Sequence, residues 1–166
     1  MDRPQGAPIT REQVLAGNEA FCATFAGGHL GSPPRRRLAI VACMDARLEP
    51  LAVFGLQHGD AHVIRNAGGR VDEDVIRSLV VSTLALGVRV VVVVHHTDCG
   101  MAKLGDGDLR ALVETVGVTT AEDFLTVGDV EHALWLDVGT IATSPLLPAD
   151  LEVYGFRYDV GTGRLS

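Results

Sequence analysis

The sequence predicts an α/β fold, in which a central, mostly parallel β-sheet is flanked by helices. Two short apolar runs, 38–42 and 88–94, show almost no alternation with polar residues, which is typical of strands buried on both faces. Segments with helical periodicity separate the apolar runs, and glycines end several of these segments. Alternation of this kind favours parallel pairing, because each helix carries the chain back across the sheet.

Four segments are predicted as strands, at 38–42, 61–65, 88–94 and 151–158. We predict the sheet order 2-1-3-4 plus a C-terminal strand, so the strand order reverses between the first and third strands. In open α/β sheets, ligands bind beyond the carboxyl ends of the strands at such a reversal. Chemically active residues that follow the first and third strands are therefore the first candidates for a site.

Helices are predicted between and around these strands. The first spans 11–26, where Thr10 is the N-cap and Gln13 completes a capping box. Asp72 begins another helix, in which apolar residues recur at helical spacing until Gly87 ends it. The remaining helical segments are 49–56, 108–116 and 127–140.

Length and composition indicate one folded domain over residues 1–166. The 166 residues are 47% hydrophobic and 21% charged, which is enough apolar material for a core. The formal net charge of −7 argues against nucleic-acid and anionic-membrane partners. The N-terminal residues contain no apolar run of signal-peptide length, so we expect a cytoplasmic protein.

The cysteines are too few and too scattered for a disulfide framework. The chain has three, Cys22, Cys43 and Cys99, and an odd count in a cysteine-poor chain leaves thiols free for metal binding or catalysis. Cys22 lies in the first predicted helix beside Phe21 and Phe25. We expect it to be a small buried apolar residue there.

A metal site is predicted from His96-x-x-Cys99 and Cys43. A spacing of three places the His96 and Cys99 side chains on one face of a helical turn, where they can bind one ion. Cys43 follows the neighbouring strand and supplies a third donor. Two thiolates and an imidazole suit Zn²⁺ and leave a fourth position for water or substrate. The competing interpretation is two buried thiols and a surface histidine.

The segment Cys43-x-Asp45-x-Arg47 adds a charged pair beside this site. Asp45 and Arg47 lie two residues apart, so both side chains can face the same side as Cys43. A carboxylate there can accept a hydrogen bond from a metal ligand or become the fourth ligand itself, and Arg47 can decide between these roles. A strand-end salt bridge is the simpler alternative.

Three motifs together resemble the signature of the β-class carbonic anhydrases. They are CMDARL at 43–48, HVIRNAGG at 62–69 and HHTDCGM at 95–101, in the wording of the short bacterial and archaeal form. The resemblance implies reversible hydration of CO2 to bicarbonate and a proton, catalysed by a zinc lyase with one Zn²⁺ per chain. Cys43, His96 and Cys99 would hold the metal, with Asp45 as a conditional fourth ligand.

Further roles follow from the same resemblance. Asp45 and Arg47 would be the catalytic pair, and Gly68, Gly69 and Gly100 would line the substrate pocket. The protein would be a homodimer or a higher even oligomer, with its N-terminal helix (about 10–27) packed on a partner subunit. The glutamine that contacts substrate in larger relatives has no clear counterpart, because Gln13 belongs to the capping box.

Two other functions fit the same motifs. A closely related subgroup hydrolyses CS2 or COS on this scaffold, and a zinc-stabilised binding module without catalytic activity would also use these ligands.

Two residues next to the predicted metal ligands are expected to have supporting roles. We expect His95 to point away from the site and pack in the core, and Asp98 to cap the turn that bears Cys99.

Overall fold

The computed structural model describes residues 6–166. Its contacts divide the described chain into two compact units, 6–30 and 31–166. Each unit is described separately, and the interpretation of 1–166 as one domain stays a prediction. Residues 1–5, part of the N-terminal stretch without a signal-peptide pattern, lie outside the described residues.

The first unit contains helix α1, Arg11–Cys22, and a short 3-10 turn at Gly27–His29. The predicted capping box is present. Gln13 N donates to Thr10 Oγ1 at 3.3 Å, and Thr10 N donates to Gln13 Oε1 at 2.9 Å. The helix ends four residues earlier than predicted.

The expectation of a buried Cys22 is wrong, because its side chain is exposed and α1 has no buried residue at all. A single helix has no second layer within residues 6–30 against which an apolar face could be buried.

The second unit is built on a parallel sheet with the predicted order, β2-β1-β3-β4. The predicted C-terminal strand is β4 of this order. Leu165, near the end of the chain, adds one antiparallel bridge to Tyr158 of β4. The strands are β1 Leu38–Cys43, β2 Ala61–Asn66, β3 Val90–His96 and β4 Glu152–Tyr158.

The two central strands are buried on both faces, as the absence of alternation predicts. One face contributes Ala39, Val41 and Val91 to a core that includes residues of two helices. The opposite face contributes Ile40 and Val92 to a second core. An apolar residue at nearly every position of β1 and β3 satisfies both layers at once. Because β1 and β3 are adjacent and parallel, their carboxyl ends meet at one edge of the sheet.

Five helices accompany the sheet: α2 Pro50–Val53, α3 Glu73–Val80, α4 Gly100–Lys103, α5 Asp106–Glu114 and α6 Val130–Ala142. Asp72 caps α3 as predicted, by accepting a hydrogen bond from Val75 N at 2.8 Å. Beyond α3 the chain widens into a π turn, Val81–Ala85, before Gly87. The start of α6 lies three residues later than predicted, because Asp129 caps it by accepting from His132 N at 2.7 Å. No helix within 6–166 is both long and apolar enough to cross a membrane.

Candidate metal centre

Two thiols and an imidazole meet at the carboxyl edge of the sheet. Cys43 is the last residue of β1, His96 is the last residue of β3, and Cys99 follows three residues later. One donor atom from each residue lies within 4.8 Å of the other two, and all three residues are buried. Donors to a tetrahedral zinc at about 2.0–2.3 Å are roughly 3.5–3.8 Å apart, so a small contraction suffices to hold the ion. The alternative with a surface histidine does not describe His96.

The imidazole of His96 is arranged as a metal donor. Its Nδ1 lies 2.9 Å from the carbonyl oxygen of Thr97, which assigns the ring proton to Nδ1. Nε2 is then a buried acceptor, and it has no hydrogen-bond partner among residues 6–166. A buried polar atom without a partner is costly, and coordination of a cation would satisfy it.

The two thiols are electrostatically coupled. The hydrogen bond from Cys99 is the largest influence on Cys43 and, against the opposing effect of burial, lowers the pKa of the Cys43 thiol well below its ordinary value. The same contact, together with burial, raises the pKa of Cys99. One thiolate therefore forms easily and holds the remaining proton between the two sulfurs. A divalent cation can replace that proton and allow both groups to be thiolates.

Asp45 and Arg47 form a two-pronged ion pair beside these donors. Arg47 Nε donates to Asp45 Oδ1 at 2.9 Å, and Arg47 Nη2 donates to Asp45 Oδ2 at 2.7 Å. This guanidinium holds the pKa of Asp45 well below its ordinary value. Asp45 Oδ2 lies 3.9 Å from His96 Nε2. The carboxylate is thus next to the donor cluster while its oxygens are engaged by arginine.

Arg65 fixes the backbone that carries this pair, and its role was not assigned from the sequence. Its Nε donates to the carbonyl oxygen of Cys43 at 3.0 Å, and its Nη2 donates to the carbonyl oxygen of Asp45 at 2.8 Å. The register of β2 against β1 puts Arg65 beside this exit. The signal was available in the motif at 65–69, where arginine is the one charged residue.

Glycines bring backbone against the cluster. Gly69 has a φ of +69°, and a Cβ there would lie 2.8 Å from Cys43 N. Gly68 has a φ of +79°, and its Cβ would lie 2.9 Å from Val127 Cγ2. Both positions therefore require glycine for packing against the chain itself. Gly100 follows Cys99, and a Cβ there would meet no atom within 4 Å. Substrate contact by these three glycines stays a prediction.

His95 is buried, as expected, and lies on the side of the sheet away from the donors. Its Nε2 is 3.0 Å from Asp137 Oδ2 of α6. Asp137 also accepts from Arg70 Nε at 2.8 Å and from Val71 N at 3.2 Å. Neither Asp137 nor Arg70 was singled out from the sequence. The available signal was an acidic residue at helical spacing from the apolar Leu134 and Ile141.

The expectation that Asp98 caps the turn bearing Cys99 is wrong. Cys99 itself is the N-cap of α4, and no side chain caps this helix. Asp98 has a φ of +57°, and its carboxylate pairs with Lys103 and with Arg47 Nη1, the latter at 2.7 Å. Lys103 first and Arg47 second hold the pKa of Asp98 at about 2. The Asp98 carboxylate is engaged by these two cations and caps no backbone amide of α4.

The fold and the site define a class: an α/β protein with a cysteine–histidine–cysteine cluster that could hold a metal ion at the carboxyl edge of a parallel sheet. The model of the carbonic anhydrase family matches residues 38–124, the segment that carries all three donors. The chain belongs to the β-carbonic anhydrase family, and the assignment drawn from its motifs is confirmed.

Similar proteins align with most of this chain. β-Carbonic anhydrase 1 of Mycobacterium tuberculosis is 39% identical over 156 residues, which are 93% of this chain and 95% of the relative. The crystal structure of carbonic anhydrase from Streptococcus mutans superimposes with a TM-score of 0.89 at 41% identity, again over 93% and 95% of the two chains. Carbon disulfide hydrolase of an Acidianus strain is 32% identical over 160 residues, covering 81% and 78%.

Proposed function

We propose that this chain is a zinc-dependent lyase that hydrates CO2 reversibly to bicarbonate and a proton. The observation that carries the proposal is the cluster of Cys43, His96 and Cys99, whose donor atoms lie within 4.8 Å of one another beside an arginine-bound carboxylate. Catalytic zinc sites have three protein donors and leave the fourth position to water or substrate, whereas structural sites have four protein donors.

One Zn²⁺ per chain would be held by these three residues. When bound, zinc lowers the pKa of a coordinated water toward neutrality and so supplies a nucleophile at working pH. The two thiolates neutralise the formal charge of the ion, which makes it a weaker acid than zinc bound by three neutral imidazoles. We therefore expect activity to favour the alkaline side of neutrality.

The residues around the donors would control access to the fourth position. Asp45, which Arg47 holds, would accept a hydrogen bond from a nucleophile at the fourth position and so orient it. Released from Arg47, Asp45 would become the fourth ligand and close the site. Backbone at Gly68, Gly69 and Gly100 would line the path of a small, uncharged substrate.

Metal analysis combined with stopped-flow CO2 hydration tests the proposal. Purified protein should contain about one zinc per chain, and hydration should be faster at pH 8.5 than at pH 7 and should be lost when a chelator removes the metal. Protein that lacks bound metal, or that binds zinc without accelerating hydration at either pH, would reject the proposed activity. The second result would favour a structural zinc module.

Hydrolysis of CS2 or COS is the second candidate. The relative named carbon disulfide hydrolase is 32% identical to this chain and supports it. The two candidates share donors and differ in substrate, so sulfide release from CS2 by the zinc-loaded protein separates them. Sulfide release without CO2 hydration would favour the second candidate.

We further propose that the protein is a homodimer or higher even oligomer in the cytoplasm. The support for assembly is the exposed apolar surface of the first unit, which includes Val14, Leu15, Phe21 and Phe25. A partner subunit would bury these side chains. Free thiols at all three cysteines suit a reducing compartment. Sedimentation or light scattering at micromolar concentration tests the oligomeric state, and a monomer would reject it.

A further inference from the structure

We propose that Asp98 is a positioning residue that fixes the guanidinium of Arg47 against Asp45 and so keeps the fourth metal position open. This inference rests on the proposed function, in which Asp45 either accepts a hydrogen bond from the nucleophile or closes the site. It assigns a task to a residue outside the donor set and outside the Asp45–Arg47 pair.

The geometry supports a bridge with Arg47 at its centre. On one side, Nε and Nη2 bind the carboxylate of Asp45. On the other side, Nη1 donates to Asp98 Oδ2 at 2.7 Å, and Nη2 also donates to the carbonyl oxygen of Asp98 at 3.0 Å. The guanidinium is therefore held by acceptors from two segments, Asp45 after β1 and Asp98 after β3, and Arg47 and Asp98 are 51 residues apart in the sequence.

The backbone conformation of Asp98 allows both of its contacts with the Arg47 guanidinium. Its φ of +57° lies in the left-handed region, which residues other than glycine rarely adopt. In this conformation the carbonyl oxygen and the carboxylate of one residue both accept from the same guanidinium. Strained residues of this kind persist where the surroundings hold them and often lie at functional sites. Asp98 also directly precedes Cys99, so its hydrogen bonds connect Arg47 to the turn that carries this predicted metal ligand.

The other oxygen of the Asp98 carboxylate is occupied by Lys103. Both oxygens of the Asp98 carboxylate are thus engaged, Oδ2 by Arg47 and Oδ1 by Lys103. Lys103 does not contact Asp45, so its removal leaves the Arg47 bridge in place. Lys103→Met is therefore a matched control, because it removes a cation paired with Asp98 Oδ1 and keeps the hydrogen bonds between Arg47 and Asp98.

Exposure indicates that the bridge acts through orientation. The Arg47 and Asp98 side chains are 44% and 50% exposed, and ion pairs that are this exposed add little to stability. Planar two-pronged contacts nevertheless fix direction well. Without the Asp98 carboxylate, Arg47 keeps its charge but loses an anchor. Asp45 is then released more often and competes with solvent for the fourth position.

Asp98→Gly isolates the side chain, because glycine adopts a positive φ freely and keeps the carbonyl contact. Azide binding to the cobalt-substituted protein, followed by visible absorption, reports how open the fourth position is. We expect Asp98→Gly to retain one metal per chain, to bind azide about tenfold more weakly and to lose a similar factor in kcat/KM, because the competent fraction falls. Asp98→Asn, whose amide oxygen can accept from Nη1, should recover part of both. Lys103→Met should match the wild type.

An Asp45→Ala background provides the decisive comparison. With no carboxylate to close the site, adding Asp98→Gly should leave azide affinity unchanged. The inference is overturned if Asp98→Gly and Asp98→Asn both bind azide as the wild type does, or if the loss persists in the Asp45→Ala background. Wild-type protein without bound metal or without CO2 hydration would instead overturn the proposed function. Should Asp98→Gly fail to fold, Asp98→Asn alone carries the test.

Discussion

Arg70 and Asp137 form an ion pair in the interior of the protein, with Arg70 Nε 2.8 Å from Asp137 Oδ2. Their side chains are only 13% and 3% exposed. Arg70 follows the Gly68–Gly69 turn, and Asp137 belongs to α6, so the pair fastens a helix to the loop that packs on Cys43. Arg70 Nη1 also donates to the carbonyl oxygens of Leu125 and Thr126.

Removing one partner of this pair should destabilise the fold severely. In Asp137→Leu the guanidinium of Arg70 stays buried without a counter-charge, and we expect a loss of about 3–5 kcal/mol in the free energy of unfolding. Urea denaturation measures this loss. Asp74→Asn, which breaks an exposed pair with Arg77, is the control and should change stability by less than about 1 kcal/mol. Equal effects of the two variants would contradict the role of burial.

The same pair predicts a pH dependence. Burial raises the pKa of Asp137, but contacts with His95 and Arg70 outweigh it and leave the folded pKa below the ordinary value of 3.8. A carboxylate with a lowered folded pKa contributes stability that is fully present above the unfolded value and is lost as pH falls through the folded value. Asp137→Asn should therefore show a flatter decline in unfolding free energy below pH 3.8 than the wild type. Parallel declines would refute this expectation.

Gly69→Ala should damage both stability and metal binding. A Cβ at this position would lie 2.8 Å from Cys43 N, and the φ of +69° adds strain for any residue with a side chain. We expect a loss of about 1–3 kcal/mol from strain alone, with displacement of Cys43 in addition. Unfolding curves and zinc analysis report the two effects. Gly139→Ala in α6, where a Cβ meets nothing within 4 Å, should be neutral or slightly stabilising.

Metal removal should lower thermal stability through the donor cluster. A ligand that binds only the folded state at about 100 times its Kd adds about 2.7 kcal/mol, so chelation should lower Tm and zinc should restore it. His96→Ala lacks the buried Nε2 donor, and its Tm should respond weakly to either treatment. If zinc raises the Tm of the His96→Ala protein as much as it raises the wild-type Tm, the ion binds elsewhere.

Asp45 and Arg47 should matter for turnover while leaving metal content intact. Arg47→Ala frees the Asp45 carboxylate to close the site, and we expect hydration to fall by about tenfold to a hundredfold with zinc retained. Asp45→Asn removes the charged acceptor and should also slow turnover. Stopped-flow hydration of zinc-loaded variants measures both. Near-normal rates in the two variants would leave a strand-end salt bridge as the explanation of the pair.

Much of the fold was readable from local patterns. The valine run of β3 and the apolar run of β1 predicted strands buried on both faces, and the Thr10 and Asp72 caps were placed correctly. The prediction from local patterns was wrong at α1. The helix was expected to run to residue 26 and to bury Cys22, but it ends at Cys22, whose side chain is exposed. Helical periodicity shows that a face is apolar, but burial depends on what covers that face, and residues 6–30 provide no cover of their own.

The sequence alone determined which side chains are available as donors and that two strand ends would present them, because spacing and strand order follow from local chemistry. Only the tertiary structure decided the long-range pairings. Asp98 was predicted to cap a turn, but in the structure it forms an ion pair with Arg47. Asp137 pairs with Arg70 and with His95, and neither contact was predicted. Such pairings join residues more than 40 positions apart. Their energies depend on burial and distance, which exist only once the sheet has assembled.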